Sequence, residues 1–263
     1  MVDFQCKPHY SYEDFLNIMR LLRAPGGCPW DREQTHSSIR RNFLEETYEV
    51  LDALDRDDAH DMCEELGDVL MQVVFHAIME EERGRFTMAD VVDGVTKKMI
   101  FRHPHVFGGG MTADTSEQVL TNWEVLKREE KGQETYSDTL RSVARSLPAL
   151  WRAEKVQKKA KKAGFDWPDA SGAMDKLSEE LEELKQAVTE NSNVAEELGD
   201  LLFAAVNVSR FIKADPEETL TAATDKFISR FEKVERLAAQ TGQDMAELPL
   251  EELDKLWEEA KRT

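Results

Sequence analysis

The sequence predicts an all-α protein built from two tandem four-helix-type modules, and three observations carry that prediction. Apolar residues recur at helical spacing along most of the 263-residue chain. Helix breakers are few, with 13 Gly and 8 Pro, and strand-like alternation of Val, Ile and Thr is scarce. A seven-residue acidic word, Glu64 to Leu70, returns almost unchanged as Glu196 to Leu202.

Along the chain, the first 23 residues carry charges throughout and lack the apolar core of a secretory leader. Ala24-Pro25-Gly26-Gly27 is the first stop. Phe43, Leu44, Val50, Leu51 and Leu54 then form one helical face. Val69 to Met79 is the longest uncharged helical stretch, well short of the roughly 18 apolar residues of a membrane span. Further stops fall at Arg83-Gly84-Arg85, His103-Pro104, Gly108 to Gly110 and Lys131-Gly132. Pro104 ends a helix, so Arg102-His103-Pro104-His105 reads as a helix terminus and not as a metal site. The polar stretch 132–146 reads as a linker between modules 1–131 and 147–263.

In the second module, Lys155, Lys158, Lys159, Lys161 and Lys162 read as a solvated helix face. Asp166-Trp167-Pro168 is a stop, and Leu177, Leu181, Leu184 and Val188 form the next helical face. Leu201 to Phe211 is apolar on nearly all sides, as in a helix buried between neighbours. Thr241-Gly242 marks the last break.

Composition narrows the function. Lys and Arg number 34 against 53 Asp and Glu, a net charge of −19. That balance argues against nucleic acid, which demands clustered cations, and against anionic membranes. Nucleotides stay compatible where metal ions or a few local bases offset the field. Hydrophobic residues at 41% suffice for a core. Cys6, Cys28 and Cys63 are odd in number, widely spaced and without CxxC, which disfavours a disulfide framework or a zinc site. The expectation is a reduced cytoplasmic protein.

The repeat extends beyond its acidic word. Glu45-Glu46-Thr47-Tyr48-Glu49 is echoed by Glu179-Glu180-Leu181-Glu182-Glu183, Lys98 and Arg102 by Lys226 and Arg230, and Trp123-Glu124 with Lys127 by Trp257-Glu258 with Lys261. Pro29-Trp30-Asp31 loosely matches Phe165-Asp166-Trp167, where a tryptophan at a turn serves either to stack a base or to seal a helix end. Glu46 and Glu49 are three apart, as are Glu65 and Asp68, so each pair projects from one helix face. Two antiparallel helices would bring all four together. Such a quartet cannot stay ionised without compensation, and oxygen-only ligands suit Mg²⁺ or Mn²⁺. Acidic residues are a fifth of the chain, so one quartet is weak evidence; its recurrence with companions in order is not. Gly67 and Gly199, mid-helix at a cost of about 1 kcal/mol against Ala, suggest close helix approach. Asn207 follows Asp200 by seven residues where Phe75 follows Asp68, and this polar group favours the second module as the catalytic one.

These residues resemble the MazG family of nucleoside triphosphate pyrophosphohydrolases, whose signature is EE-x-x-E, a spacer of a dozen or more residues, then E-x-x-D. The sequence carries it twice, with CPWD at Cys28 to Asp31 and GFDW at Gly164 to Trp167 extending the likeness over nearly the whole chain. The resemblance implies an all-α pyrophosphatase fold, an intertwined homodimer and housecleaning of the nucleotide pool. It also implies Mg²⁺-dependent hydrolysis of NTPs or dNTPs to the monophosphate and pyrophosphate, by water attack between the α and β phosphates. By the same likeness, Glu180, Glu183, Glu197 and Asp200 are metal ligands, and Glu179 is the carboxylate that positions or deprotonates water. Lys176, Lys226 and Arg230 would meet the phosphates, Trp257 the nucleotide, and Asn193, Val194, Ala195 and Glu196 would line the pocket. Glu46, Glu49, Glu65, Asp68, Lys98 and Arg102 would form a second site. The competing reading is a non-catalytic acidic helical scaffold. A ferritin-like di-iron site needs a Glu-x-x-His on each of two helices, and only Glu33…His36 fits.

Overall fold

The computed structural model describes residues 4–108, 110, 112–240 and 244–262. The sequence-read breaks at Gly108 to Gly110 and at Thr241-Gly242 reach residues 109 and 241–243, which lie outside the described residues. Among those described, the structure is all-helical, with no strand. It divides into two compact units, Met1–Lys127 and Arg128–Thr263. No helix is long and apolar enough to cross a membrane.

In the first unit, α1 (Tyr12–Arg23) starts at a reciprocal cap between Ser11 and Asp14, and α2 (Pro29–Glu33) begins on a proline. The central pair is α3 (Arg40–Asp55) and α4 (Ala59–Glu82), joined by a tight turn in which Asp57 takes a left-handed backbone (φ 53°) and Asp58 caps α4. A Thr87–Asp90 capping box opens α5 (Met88–Arg102). Pro104 begins α6 (Pro104–Phe107), as its fixed φ and missing donor dictate, and α7 (Ser116–Glu130) follows. Met19, Ile39, Val74, Phe75, Ile78, Met79 and Met88 form the core, with one face of α4 at its centre.

In the second unit, the polar stretch read as a linker carries a short helix, α8 (Tyr136–Arg141), with Thr139 and Val143 buried where it packs on α9 (Ala149–Lys162). The hairpin is α10 (Ala170–Glu190) and α11 (Val194–Ile212), its turn built from left-handed Asn191 and Asn193. Then come α12 (Pro216–Gln240), a 3₁₀ turn (Met245–Glu247) and α13 (Leu250–Ala260). The Trp151 indole N–H donates to Asp215 at 2.9 Å, tying α9 to the start of α12. Gly172 lets the Trp167 ring lie on the first turn of α10, where a Cβ would fall 2.2 Å from the indole; Trp167 thus seals a helix end.

The close approach anticipated at Gly67 and Gly199 does not occur within the chain, since a Cβ at either meets nothing within 4 Å. The all-round apolar character of Leu201 to Phe211 is likewise only half used: Ala204 and Val206 are buried while Leu202 and Phe203 stay about half exposed.

A nearly buried ion pair crosses the second unit. The Arg210 guanidinium grips the Asp166 carboxylate, with Nη1 to Oδ2 at 2.9 Å and a second bond from Nη2 to Oδ1. Both side chains are nearly buried. Breaking such a pair strands a charge, so Asp166→Ala should destabilise the unit by about 3–5 kcal/mol. The joint replacement Asp166→Leu with Arg210→Met should restore most of that loss, read as urea unfolding midpoints.

Candidate active site

The α3–α4 hairpin places Glu46 and Glu49 one turn apart opposite Glu65, and one oxygen of each lies within 4.8 Å of the others. Asp68 stands outside this group, although its charge reaches Glu46 and Glu65. Partial burial, the Asp68 charge and a hydrogen bond with Glu49 push the Glu46 carboxyl up from its ordinary range. Burial and then Glu49 and Asp61 do the same to Glu65. The buried amide of Gln72 lies close enough to Glu46 to oppose that rise slightly, and its Oε1 has no protein partner. Arg41 pairs instead with Glu45, at 2.9 Å on the exposed side of the helix.

The α10–α11 hairpin repeats the arrangement with buried Glu180, exposed Glu183 and half-buried Glu197, again within 4.8 Å. Asp200 lies outside this group and is exposed. Here a cation sits among the acids. Lys176 Nζ is 2.7 Å from Glu180 Oε1 and 2.8 Å from Glu179 Oε1. These bonds hold the ammonium well above its ordinary range. The Glu183 carboxyl is pushed up by burial and by Glu180, with Lys176 opposing.

Asn193 to Glu196 form the entry to α11, and the Asn193 carbonyl accepts from the backbone N–H of Glu196 and Glu197 at 2.9 and 3.1 Å. They therefore position Glu197. Lys226 and Arg230 lie one turn apart on α12; the Glu258 carboxyl is lowered chiefly by its hydrogen bond with Lys261, with Arg230 adding a smaller share. Trp257 packs on Phe227, ring centroids 5.1 Å apart. Among the described residues no hydrogen bond or ion pair joins Lys226, Arg230 or Trp257 to the carboxylates. In the first unit Lys98 is half-buried, while Arg102 is buried with its guanidinium 5.3 Å over the Trp123 ring.

Asn207 is also buried, but its Oδ1 accepts from Arg210, at 3.1 Å from Nε and 2.7 Å from Nη2. It lines a cavity of about 480 Å³ shared with Phe165, Asp166, Trp167, Phe203, Gln157 and Arg210, and none of Glu180, Glu183, Glu197 and Asp200 lines it. The Asp166–Arg210–Asn207 network escaped the sequence reading. Its one signal is a charged Arg210 near the end of the mostly apolar stretch Leu201 to Phe211.

With this geometry in view, comparison with known proteins is decisive. The MazG nucleotide pyrophosphohydrolase domain matches residues 34–107 and 170–235, segments that contain both hairpins. The chain belongs to the MazG family. A Thermotoga maritima protein named nucleoside triphosphate pyrophosphohydrolase/pyrophosphatase MazG is 46% identical over 250 residues, 95% of each chain. The Escherichia coli K12 nucleoside triphosphate pyrophosphohydrolase is 45% identical over 252 residues, 94% of this chain and 95% of its own. The Bacillus subtilis protein YabN is 48% identical over 258 residues, which cover 97% of this chain and 52% of YabN.

The two MazG hairpins carry strain that titrates. Folded Glu46 takes up its proton at a higher pH than the unfolded chain does, whose ordinary value is 4.5. Ionised Glu46 therefore opposes folding above its raised value, and the penalty fades as pH falls toward 4.5. Glu46→Gln should raise the melting temperature of the metal-free protein at pH 7.5, with the gain shrinking steadily toward pH 4.5 in a thermal-unfolding series.

Proposed function

We propose that this chain hydrolyses nucleoside triphosphates to the monophosphate and pyrophosphate at the Glu180–Glu183–Glu197 group, with Mg²⁺ or Mn²⁺ as cofactor. The observation that carries this reading is the convergence of three carboxylates from two helices, made twice. The donor set fits the ion. At a metal–oxygen distance of about 2.1 Å, octahedral oxygens lie about 2.9 Å apart when adjacent and about 4.2 Å when opposite. Oxygens already within 4.8 Å of one another need only a small contraction to match. A hard divalent ion held there supplies charge neutralisation for the triphosphate and a more acidic water.

The chain's own groups divide the remaining work. Glu180, Glu183 and Glu197 hold the ion, with Asp200 one helical turn beyond Glu197. Glu179, exposed beside Lys176, takes the proton of the attacking water. Lys176 pairs with phosphate oxygens as the nucleotide enters, and Lys226, Arg230 and Trp257 meet its distal parts. The names of the Thermotoga maritima and Escherichia coli relatives support the same substrate class. Glu46, Glu49 and Glu65 form a second metal group, without the polar network around Asn207.

A second copy of the chain completes the fold. Leu198, Leu202 and Phe203 on α11 and Phe227, Ile228 and Phe231 on α12 are about half exposed, apolar side chains that a second copy would cover. Gly67 and Gly199 present open backbone on the same hairpins, suited to close approach by that copy. The net acidity speaks against nucleic acid as a partner, and free Cys6, Cys28 and Cys63 fit the reducing cytoplasm.

Anion chromatography of ATP incubated with protein and Mg²⁺ should give AMP and pyrophosphate; ADP with phosphate would overturn the proposal. Glu197→Gln should lower kcat at least a hundredfold, whereas Glu65→Gln should leave most turnover. The reverse pattern would move the active site to the first module.

A further inference from the structure

The two carboxylate groups differ in one charge. Both hairpins place the acidic triads alike, but the position one turn before the first glutamate pair is Lys176 in one and Asn42 in the other. Lys176 points inward and spends two of its ammonium hydrogens on Glu180 at 2.7 Å and Glu179 at 2.8 Å. Glu180 is only 6% exposed, so its charge requires a partner, and in this chain the partner is the lysine. Nothing equivalent serves the first module. Arg41 turns outward to Glu45, and no Lys or Arg among the described residues lies within ion-pair distance of Glu46, Glu49 or Glu65. Gln72 instead brings a neutral amide to Glu46, with a buried Oε1 that has no partner, where the second module has Ala204.

We propose that Lys176 is a built-in counter-ion that closes the second carboxylate group to metal until a polyphosphate draws the ammonium away. The second module then takes its metal together with nucleotide, whereas the first takes metal alone. This rests on the reading that both groups bind divalent cations. A divalent ion entering beside Glu180 must displace an ammonium that already holds the carboxylate, or bear the repulsion of a like charge at contact distance. Phosphate oxygens offer that ammonium an alternative partner of comparable strength. Its four-carbon stem, about a third exposed, allows the swing. In the first module the acids have no cation to lose, so a metal meets only the repulsion that it relieves.

Equilibrium dialysis of the full-length chain against radioactive manganese tests this directly. Glu65→Gln isolates the second group and Glu197→Gln the first. Without nucleotide, manganese should bind the first group at least tenfold more tightly than the second. Adding an α,β-methylene nucleoside triphosphate to both chambers should raise binding at the second group to match. Lys176→Met should tighten nucleotide-free binding at the second group at least tenfold, and Asn42→Lys should weaken it at the first by a similar factor. The mirror substitution keeps the test alive if Lys176→Met fails to fold. Equal nucleotide-free affinities in the unmodified groups, or changes under twofold in the swapped variants, would overturn the proposal while leaving metal binding intact. No bound manganese in any variant, with or without the analogue, would bring down the metal reading as well.

Discussion

Like charges held at close range are the constraint around which each unit is organised. Three carboxylates within 4.8 Å repel one another, and only a stiff frame keeps them converged. The frame is a helical hairpin whose two arms pack through small side chains. Ala53 in α3 and Ala187 in α10 occupy matching positions and are almost fully buried. Val74 and Val206 do the same on the facing helices. Residues that tolerate left-handed backbone, Asp57 in one turn and Asn191 and Asn193 in the other, return the chain in three residues each time. Acids toward one part of each hairpin are thus held together by apolar contacts further along the same helices.

The second unit breaks with its twin at two large core positions one turn apart. Phe75 and Ile78 fill the middle of the first core; Asn207 and Arg210 stand at the same places in the second. Exchanging an apolar contact for a buried ion pair gains little stability, because desolvation offsets most of the attraction. The exchange must be accounted for by what it leaves behind, an aromatic cavity of about 480 Å³ edged by an amide and a guanidinium. A fully packed core offers no such space. The first unit has Phe75 in place; the second keeps room and polarity further along the helix that carries Glu197.

Much of this was legible in the sequence, and the boundary of legibility has a physical meaning. Helix after helix announced itself by period and by caps such as Ser11–Asp14 and Thr87–Asp90, because local backbone chemistry is written locally. The acids' convergence followed from spacing plus duplication. Three features did not follow. The short helix α8 sits in a polar stretch whose anchors, Thr139 and Val143, are too few to show a period. Asn207 reads as a polar group favouring the second module as the catalytic one, yet its carbonyl is committed to Arg210, which also pairs over a long range with Asp166. The direction of Lys176 was equally hidden. A lysine three and four residues before two glutamates reads as a surface stripe, and only the burial of Glu180 turns it into a counter-ion.

The overall charge and this local arrangement bear on one another. At −19 the chain repels a free triphosphate and gathers divalent cations, within a screening length of about 8 Å. A nucleotide that arrives already complexed to a cation carries two fewer negative charges and meets less of that repulsion. An active group open to bare metal would fill from the gathered cations whether or not substrate was present. Under this proposal, a lysine stationed on the buried glutamate removes that option, because it offsets part of the local field where metal would settle and yields to the phosphate oxygens of an arriving nucleotide. On the proposed reading, the acidic surface selects what approaches and Lys176 selects what is admitted, so the two work as successive filters for the same metal–polyphosphate pair.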